Sequence, residues 1–143
     1  MINSRNNTLR ASMLLCLLLT FFLAIPALAG GQDGKVDKTT DKARTKLEKK
    51  ATPDWKDYCK SAQMCVRKNT NMEEAHSWLE KSIEMDKNPD NLEAMGDYHL
   101  ANNEKRKAAD FYLESLKAGI LKNPNYQDES LQKKLTQLQK DLS

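Results

Sequence analysis

The sequence has few residues that interrupt helices and no large surplus of either charge. Its 143 residues include 5 Gly and 4 Pro, too few for a collagen-like chain and unfavourable for a β-sandwich with many tight turns. The 23 basic and 20 acidic residues leave a formal charge of +3. That balance gives little attraction to phosphates, so we expect no nucleic-acid partner. The length allows one domain of ordinary size.

Apolar residues are concentrated near the N-terminus, where residues 13–29 read MLLCLLLTFFLAIPALA. Arg5 and Arg10 precede this run, and small residues end it. A basic start, an apolar run and a small-x-small ending are typical of a secretory signal peptide. We therefore predict a cleaved signal peptide over residues 1–29 and a periplasmic or secreted protein. An uncleaved membrane anchor is the alternative, and only in that case would a membrane be a partner.

Residues 30–51 are rich in Lys and contain little to bury beyond Val36 and Leu47. Such a composition predicts a charged flexible linker. A basic amphipathic helix lying on a membrane surface is the alternative, although Leu47 would be its one large apolar contact.

From residue 52 onward the apolar residues recur at helical spacing, and no segment alternates with the period of a strand. We predict an all-α fold of about five helices, four of them within residues 52–124 and a capping helix within residues 125–143. Thr52 and Asp90 are predicted N-caps, and Gly119 is predicted to end the fourth helix.

Two of these helices resemble each other. The pattern Ala75-x-x-Trp78-Leu79-x-x-Ser82-Ile83 returns 33 residues later as Ala108-x-x-Phe111-Tyr112-x-x-Ser115-Leu116, and each helix leads to Lys-Asn-Pro. A period of 33–35 residues with two helices per unit is typical of a helical solenoid. With Met95-Gly96 preceding the second copy, residues 53–124 resemble two units of the tetratricopeptide and Sel-like repeat superfamily.

The resemblance implies a short helical-repeat solenoid with a concave binding surface formed by the first helix of each unit. On that surface it places one basic trio and one acidic trio, and the apolar member of each trio is expected to contribute to an apolar centre. These six candidate partner-binding residues are Lys60, Met64 and Arg67 in the first unit and Glu93, Asp97 and Leu100 in the second.

Two cysteines, Cys59 and Cys65, remain after the predicted cleavage. On one helix their Cα atoms would lie about 10 Å apart, whereas a disulfide needs less than about 7 Å. We therefore predict unpaired thiols. A break in the helix that allows a bridge, or pairing with another chain, are the alternatives.

Few residues suggest catalysis or metal binding. His76 and His99 lack a second ligand at metal spacing, and His99 falls at a predicted core position. The sequence contains no phosphate-binding Gly loop, Ser nucleophile motif or zinc motif. We expect no enzyme activity, no cofactor and no metal. Several methionines nevertheless suggest a copper alternative, namely Met64, Met72, Met85 and Met95.

These observations predict an exported, non-enzymatic module that binds a partner peptide or protein. One alternative is a small envelope structural or assembly subunit that acts through oligomerisation, and a weak homodimer would fit either function. The other alternative is a thiol- or copper-handling protein that uses Cys59 and Cys65.

Overall fold

The computed structural model describes residues 38–143. The predicted signal peptide and the first part of the predicted linker lie outside the described residues. Within 38–143 the expectation of an all-helical fold is confirmed, because every regular element is a helix. The six helices of residues 38–143 are α1 (Lys38–Glu48), α2 (Trp55–Lys68), α3 (Met72–Met85), α4 (Pro89–Ala101), α5 (Lys105–Lys122) and α6 (Glu129–Leu142).

Each helix packs on helices that are close to it in sequence. The main contacts join α1 to α2, α2 to α3 and α4, α3 to α4, α4 to α5, and α5 to α6. Small side chains such as Ala62 and Ala75 lie fully buried where the first four helices meet. A second buried cluster joins Ala108 and Tyr112 of α5 to α6. Stability in such a stack comes from contacts between neighbours.

The two helix pairs α2–α3 and α4–α5 repeat one hydrogen bond. Ser82 Oγ donates to the carbonyl oxygen of Trp55 at 2.8 Å, and Ser115 Oγ donates to that of Pro89 at 2.9 Å. The acceptor is the first residue of α2 in one case and of α4 in the other. This correspondence aligns Ala62 with Gly96.

The helix α1 corrects the prediction that residues 30–51 are a flexible linker throughout. Its buried residues Thr40, Ala43 and Leu47 face the stack, and Arg44 forms two hydrogen bonds with Glu74 of α3, at 2.7 and 2.8 Å. Small residues and an ion pair provide these contacts, so the helix has too weak an apolar stripe to be recognised from composition. Packing against neighbours stabilises it.

Three predicted helix boundaries also shift. The N-cap of α2 is Asp54 rather than Thr52, and that of α4 is Asn88 rather than Asp90, which places Pro89 at the first helical position. The helix α5 continues past Gly119 to Lys122. Gly119 instead permits close packing, because a β-carbon there would overlap the ring of Tyr126.

Candidate functional site: the groove between α2 and α4

Two adjoining depressions run between α2 and α4 and share Gln63. The first lies near the start of both helices and the second near their ends, so the two helices run in the same direction. We call the two depressions together the α2–α4 groove. Trp55, Lys56, Cys59, Lys60, Gln63, Asp90 and Glu93 line the first depression. Gln63, Val66, Arg67, Ala94, Asp97, Leu100 and Ala101 line the second.

The structure brings five of the six candidate residues to this groove. Lys60 and Glu93 face each other across the first depression, and Arg67 lies across the second from Asp97 and Leu100. The two helices therefore place a basic wall opposite an acidic one, with an apolar patch toward the helix ends.

Met64 is the exception and corrects the predicted apolar centre. It packs against the core cluster of the first four helices. The described residues that line the two depressions do not include Met64. The groove-facing stripe of α2 is centred on Gln63, because α2 also packs against α1 and α3. Val66 supplies the apolar contact that we had assigned to Met64.

The acidic wall is already paired within the chain. Lys134 of α6 donates to Glu93 Oε1 at 2.8 Å and to Asp97 Oδ1 at 2.6 Å. Tyr112 Oη also donates to Asp97 Oδ1, at 2.6 Å. Burial works against the charge on Lys134, but its hydrogen bonds to Asp97 and Glu93 outweigh burial and raise the pKa of Lys134 above its ordinary value.

The basic wall is not paired in this way. Across the described part of the chain, Lys60 and Arg67 form no ion pair, and both are exposed. Lys56 Nζ lies 5.3 Å from the ring centroid of Trp55, in a cation–π contact. The groove therefore presents available positive charge along α2.

Cys59 lies at the bottom of the first depression as a buried thiol. Its Sγ lies 3.9 Å from the carbonyl oxygen of Asp90. Burial raises the pKa of the Cys59 thiol to about 12, so it remains protonated and is a poor nucleophile near neutral pH. Cys65 is also buried, with its Sγ 3.9 Å from Thr40 Oγ1, and no disulfide joins the two cysteines of α2.

His76 of α3 and His99 of α4 lie in an aromatic cluster with Tyr98 and Phe111, and neither lines the two depressions. His99 is buried, stacks on Phe111 with ring centroids 5.0 Å apart, and pairs through Nδ1 with Glu104 Oε2 at 2.7 Å. Its packed position agrees with the predicted core role. His76 lies 6.4 Å from His99, centroid to centroid. Residues 38–143 contain no group of three or more His, Cys, Asp or Glu side chains arranged to hold a metal ion.

Sequence reasoning missed Lys134, Gln63 and Val66. The signal for Lys134 was its place one turn after Leu131, on the buried side of α6, where a charged residue needs a partner. The partner could not be read from the sequence, because Glu93 and Asp97 lie 41 and 37 residues away.

Comparisons with known proteins returned no match to a protein-family model, to a curated protein or to a solved structure. None of the helices in the described region is both long enough and apolar enough to span a membrane.

Proposed function

We propose that this protein is an exported, non-enzymatic protein-interaction module of the tetratricopeptide-like type, which binds an extended segment of a partner protein in the α2–α4 groove. The alignment of two depressions along parallel helices is the observation that carries the proposal. The repeated Ser–carbonyl hydrogen bond supports the repeat relationship.

Charge reversal of the basic wall tests this function. A library of randomised 12-residue peptides displayed on phage is selected against the purified protein that begins at Gly30, and the best peptides are measured by fluorescence anisotropy. The K60E/R67E variant is expected to weaken their binding at least tenfold, since both substitutions change the groove without removing a buried side chain.

The matched control is K46E/K49E, which makes the same charge change at exposed positions outside the groove. It should leave affinity within about twofold, because exposed charges away from a binding site act weakly through solvent. The groove proposal would be contradicted if the library yields no binder, or if its binders have the same affinity for K60E/R67E as for the wild type.

Export is the second part of the proposal, and it rests on the apolar run and small-residue ending of residues 1–29. Expression of the full chain in a bacterial host, followed by mass spectrometry of the periplasmic fraction, is expected to give a chain starting at Gly30. A chain that stays in the membrane fraction with Met1 retained would favour the anchor instead.

A specific observation favours the alternative of an assembly subunit. The outer face of α5 exposes Leu113, Ile120 and Leu121, with Leu121 87% exposed. Exposed apolar residues on one helix face are typical of contact surfaces. Light scattering separates the two functions. A stable oligomer that L121E dissociates, together with peptide affinities that K60E/R67E leaves unchanged, would favour assembly over the groove.

A further inference from the structure

The acidic wall of the α2–α4 groove already holds a cation that belongs to the protein itself. Lys134 reaches from α6 to both carboxylates of that wall, at 2.8 Å from Glu93 Oε1 and 2.6 Å from Asp97 Oδ1. Its Nζ also lies 5.2 Å from the ring centroid of Tyr112. Each carboxylate therefore has one oxygen paired with Lys134, so a basic side chain of a partner meets an acidic wall whose charge is already partly compensated.

Most of the remaining charges of the groove are positive. Lys56, Lys60 and Arg67 line it without an ion pair, and Asp90 is the one acidic side chain of its lining that is likewise unpaired within residues 38–143. An incoming segment therefore meets an excess of available positive charge, which attracts carboxylates and repels basic side chains.

We infer that Lys134 is an internal counter-ion that selects an acidic, extended polypeptide segment as the partner of the α2–α4 groove. This inference rests on the proposed function and adds the chemistry of the partner, together with the residue that determines it.

The positions of the two cations predict a spacing of acidic residues in that segment. Lys60 and Arg67 are seven residues apart on α2, which corresponds to about 10 Å along the helix axis. An extended chain covers that distance in about three residues. The expected pattern is two acidic residues three positions apart, with an apolar residue next to the one that pairs with Arg67, where it contacts Val66 and Leu100 in the second depression.

The test compares peptide selections by the wild-type protein and by K134M, both prepared from Gly30 onward. From the randomised 12-residue library, the wild type is expected to enrich peptides with a mean net negative charge. K134M frees Glu93 and Asp97, so its selected peptides should shift toward Lys and Arg. Its affinity for the best acidic wild-type peptide should fall about tenfold.

K133M is the matched control, because Lys133 is the adjacent exposed residue on α6 and forms no ion pair in the described region. It removes the same charge and should reproduce the wild-type selection. If K134M loses its helical circular dichroism, K134Q replaces it, since the Gln amide can still donate a hydrogen bond to the acidic wall while carrying no charge.

The outcomes separate the inference from the proposed function. Wild-type selection of basic or charge-neutral peptides would overturn the inference and leave groove binding intact. An acidic preference that Lys134 substitution does not change would also overturn it, because another feature would then set the preference. Failure of the wild type to enrich any peptide would instead count against the proposed function.

Discussion

The ring of Tyr112 occupies the space beside Gly96 that a β-carbon would need. A methyl group at position 96 would overlap Cδ1 and Cε1 of that ring, and Tyr112 is fully buried. The hydroxyl of the same tyrosine donates to Asp97 in the acidic wall of the groove. Close packing of α4 on α5 and the position of a groove carboxylate therefore depend on one side chain.

The substitution G96A is expected to destabilise the protein by about 1–3 kcal/mol, because Tyr112 must move or α4 and α5 must separate. Urea unfolding followed by circular dichroism measures the change. The helix pair α2–α3 shows a compatible combination, since Ala62 and Leu79 are both fully buried at the corresponding positions. The double variant G96A/Y112L should therefore recover part of the lost stability. Equal stability of G96A and the wild type would show that the packing is looser than described.

The repeated Ser–carbonyl hydrogen bonds should contribute unequally. S115A removes one bond and is expected to lower the free energy of unfolding by about 1 kcal/mol. S82A should lower it further, because Ser82 Oγ also accepts a hydrogen bond from Asn91 Nδ2 at 3.1 Å. Thermal unfolding of both variants measures the difference. S77A is the control. Because Ser77 is exposed, removal of its hydroxyl should change the free energy of unfolding by less than about 0.5 kcal/mol. A larger effect at Ser115 than at Ser82 would contradict the prediction.

Shortening the buried Leu47 side chain of α1 should destabilise the fold. L47A removes a side chain that is 8% exposed and is expected to lower stability by about 2 kcal/mol. Hydrogen exchange should show faster exchange in α1 and in the part of α2 beneath it. E48A, at the neighbouring exposed position, should leave both measurements near the wild-type values. Unchanged exchange in L47A would mean that α1 does not pack on α2 in solution.

The free energy of unfolding should decrease at acidic pH, because Asp57 in the capping box of α2 becomes protonated. A hydrogen bond from Lys50 and another from the backbone N–H of Asp54 lower the pKa of Asp57 below its ordinary value of 3.8. Because the folded-state pKa is the lower one, the carboxylate stabilises the fold above about pH 4. That contribution is lost as the pH falls through the folded-state pKa.

The variant D57N is expected to lose about 1 kcal/mol at pH 7 and to depend less on pH below pH 4. Melting temperatures between pH 2.5 and pH 7 measure the change. D110N supplies the comparison, since Asp110 is exposed and has no ion pair among the described residues. A D57N profile parallel to that of the wild type would show that other carboxylates control acid unfolding.

Local patterns predicted most of the fold. The spacing of Ala75, Leu79 and Ser82 and its return at Ala108 identified the two helix pairs, because close packing requires small residues at fixed helical positions. The resemblance to tetratricopeptide repeats, rather than the spacing itself, implied that Lys60 and Glu93 share one surface, and both residues line the first depression. The helix α1 was missed because Thr40 and Ala43 are buried through tertiary contact and carry little hydropathy of their own.

The chemistry of the groove was less predictable than its location. Met64 has the same helical spacing as its neighbours Lys60 and Arg67, but α2 contacts three helices and turns Met64 toward the core. The pairing of Lys134 with Glu93 and Asp97 joins helices that are distant in sequence. A charge pattern read along one helix cannot reveal that a cation from another helix pairs with it.

Within residues 38–143 a single helix stands before the first complete helix pair and a single helix stands after the second. The helix α1 precedes the first complete pair, and α6 follows the second, so each complete pair is covered on both sides. An extra pair of about 34 residues inserted between Met85 and Pro89 would preserve both terminal contacts, because each helix depends on its near neighbours. The length of the proposed α2–α4 groove would then grow in steps of one helix pair, without redesign of either end.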